Sequence, residues 1–240
     1  MSNKIAFFLP TRSGSQRVLH KNTRNFAGIE GGLTKLKLLQ LINTRNIDEI
    51  ILSTNNDECI SIAENLIPSC KRLRIVKRPD KLCKSSTNLQ DLIEYIPSIT
   101  DAKHILWGHV TTPFVSSSDY DQAIEVYLEQ LKKGFDSLIG VQEIQNYIYS
   151  NDFKLMNNST KLPWPRTQDL DIFYELNHSI FITSRDIYKK YSNRHGKSPF
   201  FLKMNKLKSL DIDSMEDFSF TEMIYKQQLL EKGLNQDVFK

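Results

Sequence analysis

The sequence predicts an α/β fold in which a mostly parallel sheet carries helices on both faces. Short apolar runs alternate with stretches of helical periodicity, which is typical of repeated strand–helix units. The first apolar run, Ile5 to Leu9, ends at Pro10 in a loop rich in Ser, Gly and basic residues. Open α/β sheets bind ligands at such carboxyl ends of strands, so this loop is also the first candidate binding site.

The individual elements follow from the same periodicities. Apolar runs predict buried strands over residues 5–9, 48–54, 73–76, 104–107 and 136–141. Helical spacing predicts helices over 33–42, 58–66 and 89–96, a long helix from a cap at 116–119 to about Lys133, and a closing helix after Ser214. Asn56 or Asp57 can cap the second of these helices.

Composition narrows the class of protein. At 240 residues, 40% of them hydrophobic and 25% charged, residues 1–240 are predicted to form a single domain. A net charge of +4 is too small to predict a nucleic-acid partner. Cys59, Cys70 and Cys83 lack metal-ligand spacing and are expected to be reduced thiols of a cytoplasmic protein. No apolar stretch approaches membrane length, so we expect no membrane partner.

The loop after the first strand has the chemistry of an anion site. Arg12 and Lys21 supply positive charge, while Ser13, Gly14 and Ser15 supply hydroxyl and backbone N–H donors. These groups predict a phosphate-rich ligand. The loop matches neither Gly-x-x-x-x-Gly-Lys-Ser/Thr nor Gly-x-Gly-x-x-Gly. A basic surface loop without a ligand is therefore the alternative.

The order of residues in this loop resembles the opening signature of the CMP-sugar synthetases. These cytidylyltransferases activate sialic acids and related 3-deoxy-2-keto sugar acids. Their pattern is roughly Pro-Ala-Arg-x-Gly-Ser, five variable residues, then Lys-Asn and a Phe-x-Gly. The matching residues are Arg12, Gly14, Ser15, Lys21, Asn22, Phe26 and Gly28. The family's usual Pro before the Lys is missing, because Leu19 and His20 occupy that segment.

Two further segments resemble the nucleotide-binding half of this family. Residues 51–57 are similar to its Val-Ser-Thr-Asp segment, and residues 78–82 to its Arg-Pro-x-x-Leu. The second likeness implies that Arg78 contacts the cytidine. Ser85, Ser86 and Thr87 fall where the family has a Ser/Thr-rich turn, which implies that Ser86 binds the nucleotide. A simple helix N-cap is the alternative for this turn.

The fourth strand leads into a segment that resembles the family's Leu-Gln-Pro-Thr-Ser-Pro-Leu-Arg. Thr111, Thr112 and Pro113 match its core, whereas His109 stands in place of the Gln and Val115 in place of the Arg. The resemblance implies that His109 and Thr111 bind the sugar. A structural histidine at the end of a strand is the alternative for His109.

Residues 142–176 show no regular pattern, and loops of this length are usually functional or belong to an interface. Residues 164–170 resemble the family's Arg-x-Gln-Asp-Leu segment, which implies sugar contacts from Arg166 and Gln168. Residues 174–182 resemble the family's Tyr-x-x-Asn-Gly segment, which implies a third sugar contact, from Asn177. His178 replaces the usual Gly of this segment. The same resemblance implies a homodimer that closes the site through this excursion. Arg166 then binds the sugar carboxylate or acts across the dimer interface.

The most specific late motif is the run from Leu210 to Phe218. Alternation in an extended segment places Asp211 and Asp213 on one side, where two carboxylates can share a hard cation such as Mg²⁺. A solvated acidic edge, with Ser214 capping the closing helix, is the alternative. The order of residues is the CMP-sugar synthetase ending, which implies a Mg²⁺ site.

The resemblance spans residues 5–220 and implies a Rossmann-like nucleotide-binding sheet and a cytidylyl transfer from CTP to an acidic sugar. Arg12 and Lys21 would then hold the triphosphate, Asn22 and Arg78 the ribose or base, and Asp211 and Asp213 the Mg²⁺. No residue stands out as a general base. Two alternatives remain: a homologue that binds nucleotide or sugar without catalysis, and a nucleotidyltransferase using UTP or a neutral sugar.

Overall fold

The structure is a computed structural model, and it describes residues 3–14 and 17–231. A seven-stranded mixed sheet lies at its centre. The strands are β1 Ile5–Pro10, β2 Glu49–Thr54, β3 Leu73–Lys77, β4 His104–Trp107, β5 Ser137–Ile144, β6 Phe173–Ser184 and β7 Pro199–Lys203. Their order across the sheet is β3-β2-β1-β4-β6-β5-β7. All neighbouring pairs are parallel except those of β6, which runs antiparallel to β4 and β5.

Helices cover both faces of this sheet, as predicted. They are α1 Gly32–Ile42, α2 Asp57–Leu66, α3 Leu89–Tyr95, α4 Ser117–Leu131, α5 Arg185–Tyr191 and α6 Met215–Glu231. Apolar residues of α1, α2, α4 and α6 share one core cluster with one face of the sheet. Residues of α3 and α5 share a second cluster with the opposite face. None of the helices described is long and apolar enough to cross a membrane.

Strand β1 is an interior strand that contributes to both core clusters. Phe7 and Leu9 point into the first cluster, whereas Ala6 and Phe8 point into the second. A strand buried on both faces needs an unbroken apolar sequence, and this is why residues 5–9 lack the polar alternation of a half-exposed strand. β1 pairs with β2 on one side and with β4 on the other, so the direction of the chain's path across the sheet reverses here. Such a switch point opens a crevice beyond the strand ends.

All five predicted strands and all five predicted helices are present. Asn56 is the residue that caps α2, since its side chain accepts a hydrogen bond from the Cys59 amide. Ser116 and Asp119 form a complete capping box at α4. Strand β6, helix α5 and strand β7 were not predicted, and β5 is longer than expected. The first four residues of β6 are solvent-exposed, so they lack the buried apolar signature by which the other strands were recognised.

The excursion near residues 142–176 is more ordered than its composition suggests. Its two ends are the outer parts of β5 and β6, which pair from Val141 with Leu176 to Ile144 with Phe173. Between them the chain folds around Asn157, which is fully buried. Its amide donates to the Asn146 and Asp171 carbonyls and accepts from the Ile148 amide. Hydrogen bonds to one buried amide therefore organise this segment.

A β-bulge separates the inner and outer parts of β6. Phe181 pairs with Ile139 and Leu176 pairs with Val141, so four residues of β6 lie opposite Gly140 alone. Within this bulge His178 has a φ of +55°. This left-handed backbone explains why the family pattern has Gly at that position, because only Gly adopts it without steric cost.

Candidate active site

A cleft of about 470 Å³ opens beyond the carboxyl ends of β1, β3 and β4. It is the crevice expected at the switch point between β1 and β4. Five cationic side chains and two carboxylates line it: Arg12, Arg17, Lys21, Arg78, Lys84, Asp211 and Asp213. The excess of positive charge suits a polyanionic ligand such as a nucleoside triphosphate.

Lys21 connects the basic loop to the acidic segment. Its Nζ donates to the Ile212 carbonyl at 2.7 Å and lies 3.7 Å from Oδ1 of Asp213. Burial lowers the pKa of Lys21 below its ordinary value, and the nearby carboxylates of Asp213 and Asp211 oppose that shift. A partly desolvated ammonium interacts strongly with an incoming phosphate.

Asn22 fixes the loop after β1 through hydrogen bonds to its neighbours. Its backbone carbonyl accepts two hydrogen bonds from Thr34 at the start of α1, at 2.8 and 2.9 Å. Its side-chain amide reaches back to the Arg12 carbonyl at 3.4 Å. Asn22 therefore ties the strand end to the first helix, and it also lines the cleft.

As predicted, the two carboxylates of the acidic segment lie on the same side of the chain, although the segment is not a β-strand. Asp211 and Asp213 both line the cleft, while Ile212 between them is fully buried in the core. The Ile212 amide donates to the Thr111 carbonyl at 3.0 Å, which joins this segment to the loop after β4. Ser214 caps α6, because its Oγ accepts from the Asp217 amide at 3.1 Å. Ser214 therefore caps α6 while the two carboxylates line the cleft, so one interpretation of this segment does not exclude the other.

The two carboxylates have different surroundings. Oδ1 of Asp213 pairs with Arg17 at 2.9 Å at the protein surface. Oδ1 of Asp211 is buried and has no hydrogen-bond partner among the residues described. An unpaired buried carboxylate oxygen is unfavourable, and a bound cation would remove that cost. No cluster of three or more metal-ligating side chains occurs within residues 3–14 and 17–231. Mg²⁺ does not require one, since it commonly takes one or two carboxylates together with substrate phosphates.

Arg78 forms part of the cleft wall at the end of β3. Its side chain is almost fully buried, donates to the Thr11 carbonyl and places its Nε 3.1 Å from the Cys83 sulfur. These contacts bring the end of β3 against the end of β1.

His109 lies at the other side of the cleft, together with Trp107 and His178. The Trp107 indole N–H is 3.0 Å from Nε2 of His109, and an indole nitrogen only donates. Nε2 must therefore be the unprotonated nitrogen, and Nδ1 carries the hydrogen. Burial, assisted by the charge of Arg194, lowers the pKa of His109 to about 3. His109 is thus a neutral donor, as the Gln of the family pattern would be.

The remaining predicted residues are more scattered. Thr111 lines the cleft, whereas Ser13 and Gly14 line a neighbouring depression that shares Arg12, Lys21 and Asn22. Ser15 lies outside the described residues. Ser86 is exposed and does not line the cleft, although Thr87 of the same turn does. Asn177 does not line the cleft: its side chain is buried, its oxygen accepts from Ser179 and its nitrogen donates to Ser209.

Arg166 and Gln168 are not brought to the cleft of their own chain. Both are exposed on the excursion, and Arg166 forms a bidentate pair with Asp169 at 2.8 and 3.0 Å. A contact of Arg166 with the cleft of its own chain is therefore not seen, and a placement across a dimer interface stays a prediction.

Sequence reasoning missed the apolar part of the cleft wall. Leu82, Leu89, Leu92 and Val110 line it, as does Trp107. It also missed Lys37, which is fully buried beneath the loop after β4 and donates to the Thr112 carbonyl at 2.9 Å. The available signal was periodicity, because Lys37 lies four residues after Leu33 on the apolar face of α1.

Comparison with known proteins identifies the fold and the chemistry together. The cytidylyltransferase family profile matches residues 6–236, nearly the whole chain. The chain belongs to the cytidylyltransferase family. It is therefore a nucleotidyltransferase enzyme, and the family predicted from its motifs is confirmed.

Curated relatives of this cytidylyltransferase are distant in sequence, and two of the three named here are similar to it in length. Pseudaminic acid cytidylyltransferase of Campylobacter jejuni is 25% identical over 91% of this chain and 94% of its own. CMP-N,N'-diacetyllegionaminic acid synthase of Legionella pneumophila is 24% identical over 92% of this chain and 96% of its own. N-acylneuraminate cytidylyltransferase of Escherichia coli is 23% identical over 97% of this chain and 54% of its own.

Solved structures confirm the fold class. A CMP-2-keto-3-deoxy-manno-octonic acid synthetase complexed with CTP superposes with a TM-score of 0.65 at 11% identity, over 94% of this chain and 100% of the other. The 4-diphosphocytidyl-2C-methyl-D-erythritol synthase of Anaerococcus prevotii gives 0.65 at 14% identity, over 93% and 96%. At these identities the likeness concerns the fold alone.

Proposed function

We propose that this cytidylyltransferase transfers a cytidylyl group from CTP to the anomeric hydroxyl of a sialic-acid-like or other 3-deoxy-2-keto sugar acid. The observation that carries the proposal is the cleft at the switch point between β1 and β4. Arg12, Lys21 and Arg78 line it together with the carboxylates of Asp211 and Asp213. The relatives named above for pseudaminic, legionaminic and acylneuraminic acids support an acidic sugar as the acceptor.

The strand order divides the cleft into two halves. β3, β2 and β1 bring Arg78, Lys21 and Asn22 to one half, which we assign to CTP. β4 and β6 bring Trp107, His109 and His178 to the other half, which we assign to the sugar. The acidic segment lies beside the loop after β4, to which Thr111 and Ile212 join it.

The reaction requires positioning and charge neutralisation more than covalent chemistry by the protein. The anomeric oxygen of the sugar attacks the α-phosphorus, the bond from that phosphorus to the bridging oxygen breaks, and pyrophosphate leaves. The hydroxyl proton passes to solvent. Arg12 and Lys21 hold the triphosphate and stabilise the negative charge that develops on the leaving pyrophosphate.

Asp211 and Asp213 are proposed to hold Mg²⁺ against the triphosphate. Both are hard oxygen donors, and the unpartnered buried oxygen of Asp211 suits a cation. When bound, Mg²⁺ supplies Lewis-acid polarisation of the phosphate. Arg17 and Lys21 pair with Asp213 in the same cleft, so their positive charges lie where they would also attract phosphate oxygens.

A homodimer is proposed through the excursion. Phe153 and Trp164 expose 89% and 73% of their surface there, and Met156 and Leu162 are also exposed. Concentrated exposed apolar side chains of this kind mark interfaces. The dimer would explain why Arg166 and Gln168 lie away from the cleft of their own chain.

A nucleotide-binding assay tests the assignment of the CTP half. Thermal unfolding is measured with CTP, UTP, ATP and GTP, each with and without Mg²⁺. A ligand at a hundredfold its dissociation constant adds about 2.7 kcal/mol. For a chain of this size, that corresponds to a shift of about 5–10 °C. We expect this shift with CTP and a larger one when Mg²⁺ is present.

A second assay follows pyrophosphate release with CTP and a panel of pseudaminic, legionaminic, N-acetylneuraminic and 3-deoxy-manno-octulosonic acids. Turnover with at least one acid supports the proposal. Equal shifts with all four nucleotides would contradict the cytidine assignment. A CTP-specific shift without turnover of any acid would favour a homologue that binds nucleotide or sugar without catalysis. Turnover with UTP or a neutral sugar would favour a nucleotidyltransferase with those substrates.

A further inference from the structure

Trp107 contacts His109 through its indole nitrogen in the sugar half of the cleft, and no sequence motif predicts this contact. Both residues line the cleft, and Nε1 of Trp107 lies 3.0 Å from Nε2 of His109. Because an indole nitrogen only donates, Nε2 is occupied as an acceptor and the neutral ring carries its proton on Nδ1. The contact therefore selects one of the two neutral tautomers of His109.

The indole that selects this tautomer is tightly packed. Trp107 is fully buried at the end of β4, where it pairs with Phe8 of β1 and with Phe181 of β6. The Phe8 ring packs edge-to-face on the indole, with ring centroids 5.1 Å apart. The guanidinium of Arg194 lies 5.0 Å from the centroid of the indole ring. Packing on these sides keeps the indole N–H directed at His109.

The backbone that carries the two rings is held as closely. Gly108 lies between them, and a Cβ there would be 2.6 Å from the Phe7 ring and 2.8 Å from the Ser179 carbonyl oxygen. On the other side, the His109 carbonyl accepts a hydrogen bond from the Thr112 hydroxyl at 3.1 Å. The position of the imidazole is therefore set by the fold before any ligand binds, as recognition by a preorganised group requires.

The other ring nitrogen of His109 is free to bind a ligand. Nδ1 makes no hydrogen bond to any residue within 3–14 and 17–231, and it is not one of the buried polar atoms left without a partner. It is therefore reached by solvent, and the open space that His109 lines is the cleft. His178 packs against the same ring, with centroids 6.4 Å apart, without taking this hydrogen bond. An acceptor for Nδ1–H must then come from the solvent or from a ligand.

We propose that Trp107 is a positioning residue that fixes His109 as an obligate donor, so that Nδ1–H binds an oxygen of the sugar acid. The assignment rests on the proposed function, because it specifies how the acceptor is held. The Gln of the family pattern can both donate and accept through its amide, whereas His109 in this tautomer can only donate to the cleft. A carbonyl, carboxylate or hydroxyl oxygen satisfies this donor, and a protonated amine does not.

NMR of the full chain labelled with ¹⁵N-histidine tests the tautomer without requiring turnover. Two-bond ¹H–¹⁵N correlations show which ring nitrogen carries the proton, and His109→Ala assigns the signal among the five histidines. We expect Nδ1–H in the wild type. In Trp107→Phe, which keeps an aromatic ring but removes the indole N–H, the Nε2–H form should appear, since it is the form that a free histidine side chain favours. Phe8→Leu is the matched control, because it removes a ring packed on Trp107 but keeps the indole N–H, and it should retain Nδ1–H.

Steady-state kinetics test the effect on the acceptor, with the sugar acid that gives turnover in the panel above. Trp107→Phe should raise KM for the acid about 3- to 10-fold, the range for weakening one hydrogen bond, and change KM for CTP less than about twofold. Phe8→Leu should leave both constants unchanged. In a His109→Ala background, Trp107→Phe should change KM for the acid less than about twofold, because Trp107 acts through His109.

Two results would overturn the role of Trp107. One is an Nε2–H tautomer of His109 in the wild type, which decides the matter even if Trp107→Phe does not fold. The other is an additive effect of Trp107→Phe and His109→Ala on KM for the acid. Absence of turnover with every acid would instead refute the proposed function, while the NMR measurement would still decide the tautomer.

Discussion

At the scale of single residues, His178 combines a backbone requirement with a functional position. Its φ of +55° lies in the left-handed region, which costs an ordinary residue roughly 1–2 kcal/mol. Its imidazole nevertheless lines the cleft beside His109. Because His178 keeps a backbone conformation suited to Gly and presents its side chain to the cleft, we expect this side chain to contact the ligand.

Substitution of His178 separates these two effects. His178→Gly removes the steric cost but loosens the unfolded chain, so we expect the free energy of unfolding to stay within about 1 kcal/mol of wild type. His178→Val places a β-branched residue at the same φ and should lower it by at least about 1 kcal/mol more. Urea unfolding measures both. Equal stability of the Gly and Val variants would show that the backbone does not constrain this position.

Lys21 offers a prediction for catalysis. Lys21→Met removes the ammonium that contacts the acidic segment and, in the proposed reaction, the pyrophosphate. We expect kcat to fall about 10²- to 10³-fold, which is the usual effect of removing one group that stabilises developing charge. Lys71→Met is the control, because Lys71 is exposed at the amino end of β3, whereas the cleft opens beyond the carboxyl ends of the strands. A kcat within threefold of wild type for Lys21→Met would refute its role.

At the scale of elements, α1 supports the cleft through Lys37. Its Nζ lies 2.9 Å from the Thr112 carbonyl, 3.3 Å from the Val115 carbonyl and 2.9 Å from the Tyr120 hydroxyl. A protonated amine can donate to all three. A neutral amine can donate to the two carbonyls and accept from the hydroxyl, so both forms are satisfied. Burial lowers the pKa of Lys37 to about 7.

This pKa gives stability a specific dependence on pH. Between about pH 7 and the ordinary value of 10.5, the unfolded chain binds a proton at Lys37 that the folded chain does not. The free energy of unfolding therefore rises with pH in this range, by up to about 1.4 kcal/mol per pH unit. Lys37→Met lacks this contribution. The free energy of unfolding of the wild type minus that of the variant should therefore increase from pH 7 to pH 9. A difference independent of pH would contradict the assignment.

Elements differ in how far the sequence predicts them. Strands β1, β2 and β4 are buried on both faces, so their apolar runs are unambiguous, and caps such as Asn56 define the helices that follow. The outer part of β6 is exposed, and β7 is a short strand at the edge of the sheet that is only partly buried, so neither carries the signature of a strand buried on both faces. The basic loop and the acidic segment were recognised by residue order. Lys37 was not, since its role depends on contacts with residues far from it in the chain.

At the scale of the whole molecule, the excursion projects exposed apolar residues away from the sheet. A stable interface buries about 800 Å² on each partner, which this surface must supply in the proposed dimer. Such a dimer would bring the exposed Arg166 of one chain toward the cleft of the other. Acceptor binding would then depend on assembly, whereas CTP binding would not.

A double variant tests this dependence. Phe153→Ser with Trp164→Glu should convert a dimer to a monomer in sedimentation velocity, because it places polar groups on the proposed interface. CTP should still raise the unfolding temperature, while turnover of the sugar acid should fall at least about tenfold. Leu230→Glu is the control, since Leu230 is equally exposed, at 72%, but lies on α6. A monomeric wild type, or a dimer that survives the double substitution, would contradict the proposed interface.

Product analysis by ³¹P NMR tests the central proposal most directly. Wild type and Asp211→Asn are incubated with CTP, Mg²⁺ and the panel of sugar acids. For the wild type we predict a phosphodiester signal from a CMP-sugar and an equimolar amount of pyrophosphate. Asp211→Asn should bind CTP but form product at least about 100-fold more slowly. Absence of a CMP-sugar with every acid, or an unchanged rate in Asp211→Asn, would contradict the account.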